Sequence, residues 1–257
     1  MNVLLLGATG NVGSRLLPAL KAHGHEVVLF VRSPAKLSKE ASACAAAVVQ
    51  GSATDREAIK YAIISNDCDA VINAAGLAPM LGQSGDLPTI FAAVMQATIE
   101  AGERRGRPLR CWFMSGFGIM DAPGKRKNMM IDYVPIFTIH RKNWDLIKNV
   151  QSSKLSWSLF CANQMNPRSE VIDYSERAGT GAENLVAGAD FPPAWSKTFQ
   201  WVPLVGTYLN ILAQMQKYFT PLEDVADFIA RDLDSGLESE SELAGKRVAV
   251  KTKSKSA

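Results

Sequence analysis

Apolar and polar positions change period repeatedly along this chain. Val3-Leu4-Leu5-Leu6 is a continuous apolar run, and residues 2–6 read as a strand covered on both faces. An amphipathic stretch over 11–23 reads as a helix, which Pro18 should weaken or kink by removing a backbone donor. A second apolar run, Val27-Val28-Leu29-Phe30-Val31, marks a strand over 26–31, followed by a short helix at 34–40. Further strands are expected at 46–50, 69–73, 109–114 and 155–161. Between them, Thr54-Asp55-Arg56-Glu57 has capping-box spacing and opens a helix to about residue 65, with further helices at about 86–104 and 137–151. Such alternation predicts an α/β fold, a Rossmann-type doubly wound parallel sheet with helices on both faces.

The pattern breaks after strand six. Residues 163–218 mix glycine, proline and aromatics, including Phe191, Trp195, Phe199 and Trp201, and read as a small C-terminal cap over the sheet's carboxyl edge. Thr220-Pro221-Leu222-Glu223 is a second capping box with proline at the first helical position, opening a helix to about 234. Val248-Ala249-Val250 reads as a last short strand. No repeat or linker divides the chain, so residues 1–257 are expected to be one domain carrying that cap.

Composition narrows the function classes. A hydrophobic share of 47% and a charged share of 21% are ordinary for a globular protein, and a net charge of +3 is too small to argue for nucleic acid. No apolar run approaches the ~20 residues of a membrane span. The first strand begins almost at Met1, so no signal peptide is expected. Cys44, Cys68, Cys111 and Cys161 lack C-x-x-C spacing, and the three histidines lack paired ligand spacing. Free thiols, no metal site and a reducing, cytoplasmic location are the expectation. Monomer and homodimer both remain open.

Gly7-Ala8-Thr9-Gly10-Asn11-Val12-Gly13 lies between the first two strands, where a dinucleotide-binding turn belongs, although its spacing is one residue wider than G-x-G-x-x-G. Gly7 permits the turn, Gly10 lets a phosphate near the backbone, and Gly13 lets the helix pack close to the sheet. Thr9, Asn11 and Val12 complete the phosphate cradle at the helix start. Ala74, Ala75 and Gly76, after the fourth strand, flank the cofactor near its ribose. The second strand ends in Arg32-Ser33-Pro34-Ala35-Lys36 with no acid at its tip. Arginine offers a fork of donors suited to a phosphate, with Ser33 and Lys36 beside it, so the expected cofactor is NADP(H). Ser33 also suits the cap of a helix starting at Pro34.

The chain resembles the atypical and extended short-chain dehydrogenase/reductases, in particular the NmrA-like NAD(P)-binding branch. Beyond the glycine turn, the resemblance rests on Val31-Arg32-Ser33, Gly51-Ser52-Ala53-Thr54-Asp55, Ala70-Val71-Ile72-Asn73-Ala74-Ala75-Gly76, Phe113-Met114-Ser115-Gly116, Ser153-Lys154-Leu155-Ser156-Trp157-Ser158 and Glu223-Asp224-Val225-Ala226. It implies a Rossmann fold with a nicotinamide cofactor laid across the strand ends. Its members include reductases, isomerases and redox-sensing regulators. This chain departs from the family in lacking the Tyr-x-x-x-Lys pair, since no lysine lies four residues beyond Tyr133.

Ser115 matches the family's catalytic serine position, where it could bind a substrate carbonyl; the same residue type also simply closes strand ends. His140 is the candidate acid, with an unperturbed pKa of ~6.5, unless it lies on a helix surface. Tyr133 is held in reserve, and Lys142 ranks below because it points away from His140 on a helix. Leu77-Ala78-Pro79-Met80, Phe117, Ile119 and the cap aromatics Trp195, Phe199, Trp201 and Tyr208 suggest an apolar substrate pocket, although several must pack the cap. The reading is an NADPH-dependent oxidoreductase reducing a carbonyl or activated alkene of an apolar small molecule. An NADP(H)-binding isomerase or cyclase, and a non-enzymatic redox-sensing regulator, are the alternatives.

Overall fold

β1 (Asn2–Leu6) has four consecutive buried residues because the sheet is covered on both sides. A computed structural model describes residues 1–76, 85–123, 128–174, 179–236 and 240–253. After β1 come α1 (Gly13–Ala22), β2 (Glu26–Val31), α2 (Lys39–Cys44), β3 (Ala47–Gln50), α3 (Arg56–Ser65), β4 (Ala70–Asn73) and α4 (Leu87–Arg105). They are followed by β5 (Arg110–Gly116), α5 (Ile139–Ile147), β6 (Ser156–Ala162), β7 (Met165–Asn166), β8 (Leu185–Ala189), α6 (Gly206–Met215), β9 (Thr220–Pro221), α7 (Leu222–Asp232) and β10 (Lys246–Thr252).

Among the described residues, eight strands form one sheet in the order β3-β2-β1-β4-β5-β6-β10-β8. All its pairings are parallel except β10 with β8. Alternate residues of β1 serve opposite cores. Leu4 and Leu6 pack with Ile59 and Ile63 of α3 and Phe91 and Val94 of α4. Val3 and Leu5 pack with Leu16 and Leu17 of α1 and Val225 and Ile229 of α7. Each fully buried leucine contributes roughly 1.5–3 kcal/mol. The order of strands reverses between β1 and β4, which opens a crevice at their carboxyl ends.

Charged anchors tie the helices to the sheet. Asp232, at the end of α7, accepts from Arg110 Nε at 3.0 Å, from its NH2 at 2.7 Å and from Trp112 Nε1 at 2.8 Å. His23 is held between Asp227 and Asp234, and His25 reaches Ala230 O. Both histidines sit at the turn from α1 to β2, as structural groups.

Several local expectations change. The helix expected over 11–23 is α1, Gly13–Ala22, with Pro18 inside it. The helix expected at 34–40 is a 3-10 turn over Pro34–Lys36 followed by α2, and Ser38, not Ser33, caps it by accepting from Ala41 N. Asp55, rather than Thr54, caps α3 by accepting from Ala58 N at 3.0 Å. Thr54 instead meets Ser52 Oγ at 2.8 Å. At α7, Pro221 occupies the cap position itself, and Glu223 faces Arg15 and Arg168 N. Within the expected cap, β8 belongs to the main sheet as its antiparallel edge.

Candidate cofactor and active site

The crevice between β1 and β4 is built by close backbone approach. Gly7 has φ +85°, and a Cβ there would lie 2.5 Å from the carbonyl carbon of Ala74. A Cβ on Gly13 would lie 2.2 Å from Gly7 O. Gly10 N donates to Gly7 O at 2.9 Å, closing the turn. Thr9, Gly10 and Asn11 are exposed, Val12 stands at the cap position of α1, and no side chain caps that helix. Ser14 N and Arg15 N already donate to Gly10 O and Val12 O, so the amides left to meet an anion include those of Asn11, Val12 and Gly13. Gly7 and Gly13 let the turn pack against β4 and on itself, and the exposed Gly10 leaves the outer surface of the turn bare, which fits the approach of a pyrophosphate. On the β4 side, Ala75 N is fixed by Asn73 Oδ1 at 3.1 Å, and Gly76, at φ +104°, turns the chain against Leu87.

Arg32 is exposed just beyond β2, and its guanidinium meets no partner among the described residues. Ser33 is half-buried and makes no capping bond, while Lys36 is exposed at the end of the 3-10 turn.

A second cluster forms at the end of β5. Ser115 Oγ lies 3.4 Å from His140 Nδ1, and both residues are buried. The approach depends on Gly116: a Cβ there would be 2.4 Å from His140 Cδ2 and 2.9 Å from Nε2. Burial pushes the His140 pKa down to about 4, so its ring is neutral at pH 7. The imidazolium acid expected from an unperturbed histidine is thus replaced by a neutral imidazole.

Ser115 and His140 open on a cavity of about 320 Å³. Its other walls include Phe117, Met130, Phe137, Ile211 and Met215, so the lining is mostly apolar. Asn163 contributes a polar edge and is held by donating from Nδ2 to Met215 O at 2.6 Å. Tyr133 packs against the core with its hydroxyl 3.5 Å from Asn128 Nδ2, outside this lining. Lys142 is exposed, and Trp144, four residues after His140, stacks on Arg247.

The expected aromatic lining is largely corrected. Trp195 packs on Tyr218, which packs on Phe117. Trp201, Phe199 and Tyr208 face solvent instead of the cavity. Leu77-Ala78-Pro79-Met80 lie outside the described residues. Sequence reasoning missed Gly116, whose signal was a glycine directly after the strand-end serine. It also missed the walls from Phe137, Ile211 and Met215, which carry no motif.

Among the described residues, no group of His, Cys, Asp and Glu could hold a metal ion. None of their helices is long and apolar enough to cross a membrane. Burial pushes the Cys68 thiol up to about 12 and raises those of Cys111 and Cys161 as well.

A doubly wound sheet with a glycine cradle at its switch point defines a nucleotide-binding α/β protein of the Rossmann type. The chain belongs to the NAD(P)H-binding family, which residues 7–180 match, so a nicotinamide cofactor is implied. No curated protein matches the sequence. Similar solved structures include a candidate NAD-dependent epimerase/dehydratase from Bacillus halodurans, with 22% identity, TM-score 0.61, and 98% of this chain and 94% of that one covered. A candidate NADH-flavin reductase from Streptococcus pneumoniae aligns at 16% identity and TM-score 0.61, covering 98% and 100%. The anaerobillin reductase ChuY from Escherichia coli aligns at 17% identity and TM-score 0.58, with both chains covered completely. At these identities the likeness is one of fold.

Proposed function

We propose that the protein is an NADPH-dependent oxidoreductase that reduces a carbonyl or activated alkene of an apolar small molecule. The observation that carries this reading is the buried Ser115–His140 pair opening on an apolar cavity at the carboxyl edge. The NADH-flavin reductase-like protein and the anaerobillin reductase share this chain's fold and are consistent with this reading. Gly7, Thr9, Gly10, Asn11, Val12 and Gly13 hold the pyrophosphate, and Ala74, Ala75 and Gly76 flank the ribose. Arg32, with Ser33 and Lys36, receives the phosphate that distinguishes NADPH. The bound nicotinamide supplies a hydride.

The remaining chemistry is proton delivery to the substrate oxygen or carbanion. Ser115 donates its hydroxyl proton to the substrate, and His140 Nδ1–H restores it to Ser115 Oγ. As Nδ1 gives up its proton, Nε2 takes one H+ from the solvent, so each turnover consumes one NADPH and one H+, and the neutral ring returns to its Nδ1–H tautomer by exchange with solvent once product has left. The cavity's apolar walls orient the substrate and exclude water around it.

Stereospecific transfer of deuterium from labelled NADPH to a product, during turnover of a panel of apolar carbonyl compounds, tests the reading. Ser115→Ala and His140→Ala should each slow that transfer. Full turnover in both variants rejects the assignment. Arg32→Ala should narrow a preference for NADPH over NADH in binding titrations, and equal affinity of the parent protein for both cofactors rejects the NADP reading. The isomerase alternative draws on the missing Tyr-x-x-x-Lys pair, since Phe137 and not a lysine stands four residues beyond Tyr133. Turnover without cofactor consumption would favour it.

A further inference from the structure

We propose that the segment from Phe191 to Phe219 seats the protein on an anionic lipid bilayer. Among the described residues, exposed large apolar side chains concentrate here. Trp201 is 79% exposed and Leu204 is 105% exposed, and Val205, Tyr208, Leu209 and Leu212 continue the surface along α6. Contiguous apolar surface of this kind marks an interaction site, whereas scattered single residues do not. Leu204 also has φ +64°, a conformation that crowds a branched side chain, so the turn aims an apolar group at solvent against its own backbone preference.

The surface is built and held from behind. Asn210 and Gln214 on the inner side of α6 are 1% and 2% exposed. Asn210 Oδ1 accepts from Phe199 N at 3.2 Å, and its Nδ2 donates to Ser196 O at 2.7 Å. Gln214 Oε1 accepts from Ser196 N at 2.9 Å. Buried amides thus brace the stretch before α6 and leave Trp201 and Leu204 protruding.

Charge decides the partner. Residues 191–219 contain Lys197 and Lys217 and no aspartate or glutamate. Lys251 lies beside the segment, with Nζ 3.3 Å from Ala194 O. A second copy docking through the same segment would cover Lys197 and Lys217 with a surface that supplies no carboxylate of its own. Anionic headgroups answer them directly, while Trp201 and Tyr208 suit the boundary between headgroups and acyl chains. α6 has ten residues, too few to span, so the helix lies in the plane of the interface. Its inner residues Ile211 and Met215 line the cavity, which sets that cavity one helix thickness from the lipid.

Cosedimentation of the full chain with vesicles tests this without reference to any reaction. The protein should pellet with vesicles of phosphatidylcholine mixed with phosphatidylglycerol, less with phosphatidylcholine alone, and less again at high salt. Trp201→Ser combined with Leu204→Ser should weaken binding by about tenfold or more. Lys217→Glu should weaken binding to the mixed vesicles by several-fold or more. Circular dichroism and the thermal midpoint confirm that these variants fold. Absence of pelleting on either vesicle overturns the proposal, as does undiminished binding by the double variant. A dimer in sedimentation equilibrium that the double variant dissolves, in a protein that ignores both vesicles, assigns the face to a second copy and overturns it too.

Discussion

Gly116→Ala should disable the Ser115–His140 pair by one methyl group. Gly116 has φ −110° and ψ 147°, which alanine adopts freely, so the substitution acts through space alone. The new Cβ would stand 2.4 Å from His140 Cδ2, where ordinary carbon contacts are about 3.5–4.0 Å. The imidazole must therefore retreat by roughly 1 Å. Its bond to Ser115 is already 3.4 Å long and breaks with that movement. Overpacking should cost about 1–3 kcal/mol of stability, and a displacement of this size about 10²-fold in turnover. Initial rates with a reducible carbonyl compound, alongside cofactor titration, separate lost chemistry from lost binding. Cofactor affinity should hold, because the glycine cradle lies on β1 and α1. In a His140→Ala background the same alanine meets no ring and should cost almost nothing. An equal loss in both backgrounds, or full activity of Gly116→Ala, would refute the steric argument.

Gly13→Ala should abolish cofactor binding, since its Cβ would sit 2.2 Å from Gly7 O; a titration showing parental affinity contradicts the cradle. Asp232→Ala strands Arg110 and should cost about 3–5 kcal/mol, lowering the thermal midpoint on the order of 10 °C, whereas an unchanged midpoint removes the anchor role. His140 links stability to pH. Its folded pKa of about 4 lies below the unfolded value of ~6.5, so the unfolded chain binds the proton more tightly. Stability from this group is present above the unfolded pKa and is lost as pH falls towards the folded one, on the order of 3 kcal/mol in all. Denaturant midpoints measured across that window should slope less in His140→Gln, and identical slopes would count against it. His25, also lowered, acts in the same direction, while the Asp227 and Asp234 partners outweigh burial at His23 and raise it, giving the opposite slope.

The strand–helix alternation was legible because parallel strands buried on both faces must be continuously apolar, and the helices between them must be one-sided. The glycine turn was legible because part of its constraint is local: Gly13 is forced by Gly7 O and Gly7 by its own positive φ, while the contact of Gly7 with Ala74 after β4 is long-range and left no mark in the pattern. Capping was misjudged where two candidates adjoin, as with Thr54 and Asp55, since the sequence does not say which residue takes the extended conformation. The Ser115–His140 approach joins a strand to a helix 25 residues on, and burial then moved the histidine far from its unperturbed pKa. Neither effect has a periodicity. The cavity walls from α6 were hidden for a similar reason, because Ile211 and Met215 look like any apolar helix face.

The order of the sheet has a consequence for how the chain acquires its structure during synthesis. β10, the last strand in sequence, lies in the interior between β6 and β8. Until it emerges, β6 presents a bare edge and β8 has no neighbour in the sheet to join. The amino-terminal six strands can assemble early, but closure must wait for residues 246–252 and for contacts spanning the last third of the chain. A nascent chain at that stage displays an unpaired parallel edge, the kind of template on which other strands aggregate, so β10 also acts as the protein's late safeguard against that hazard.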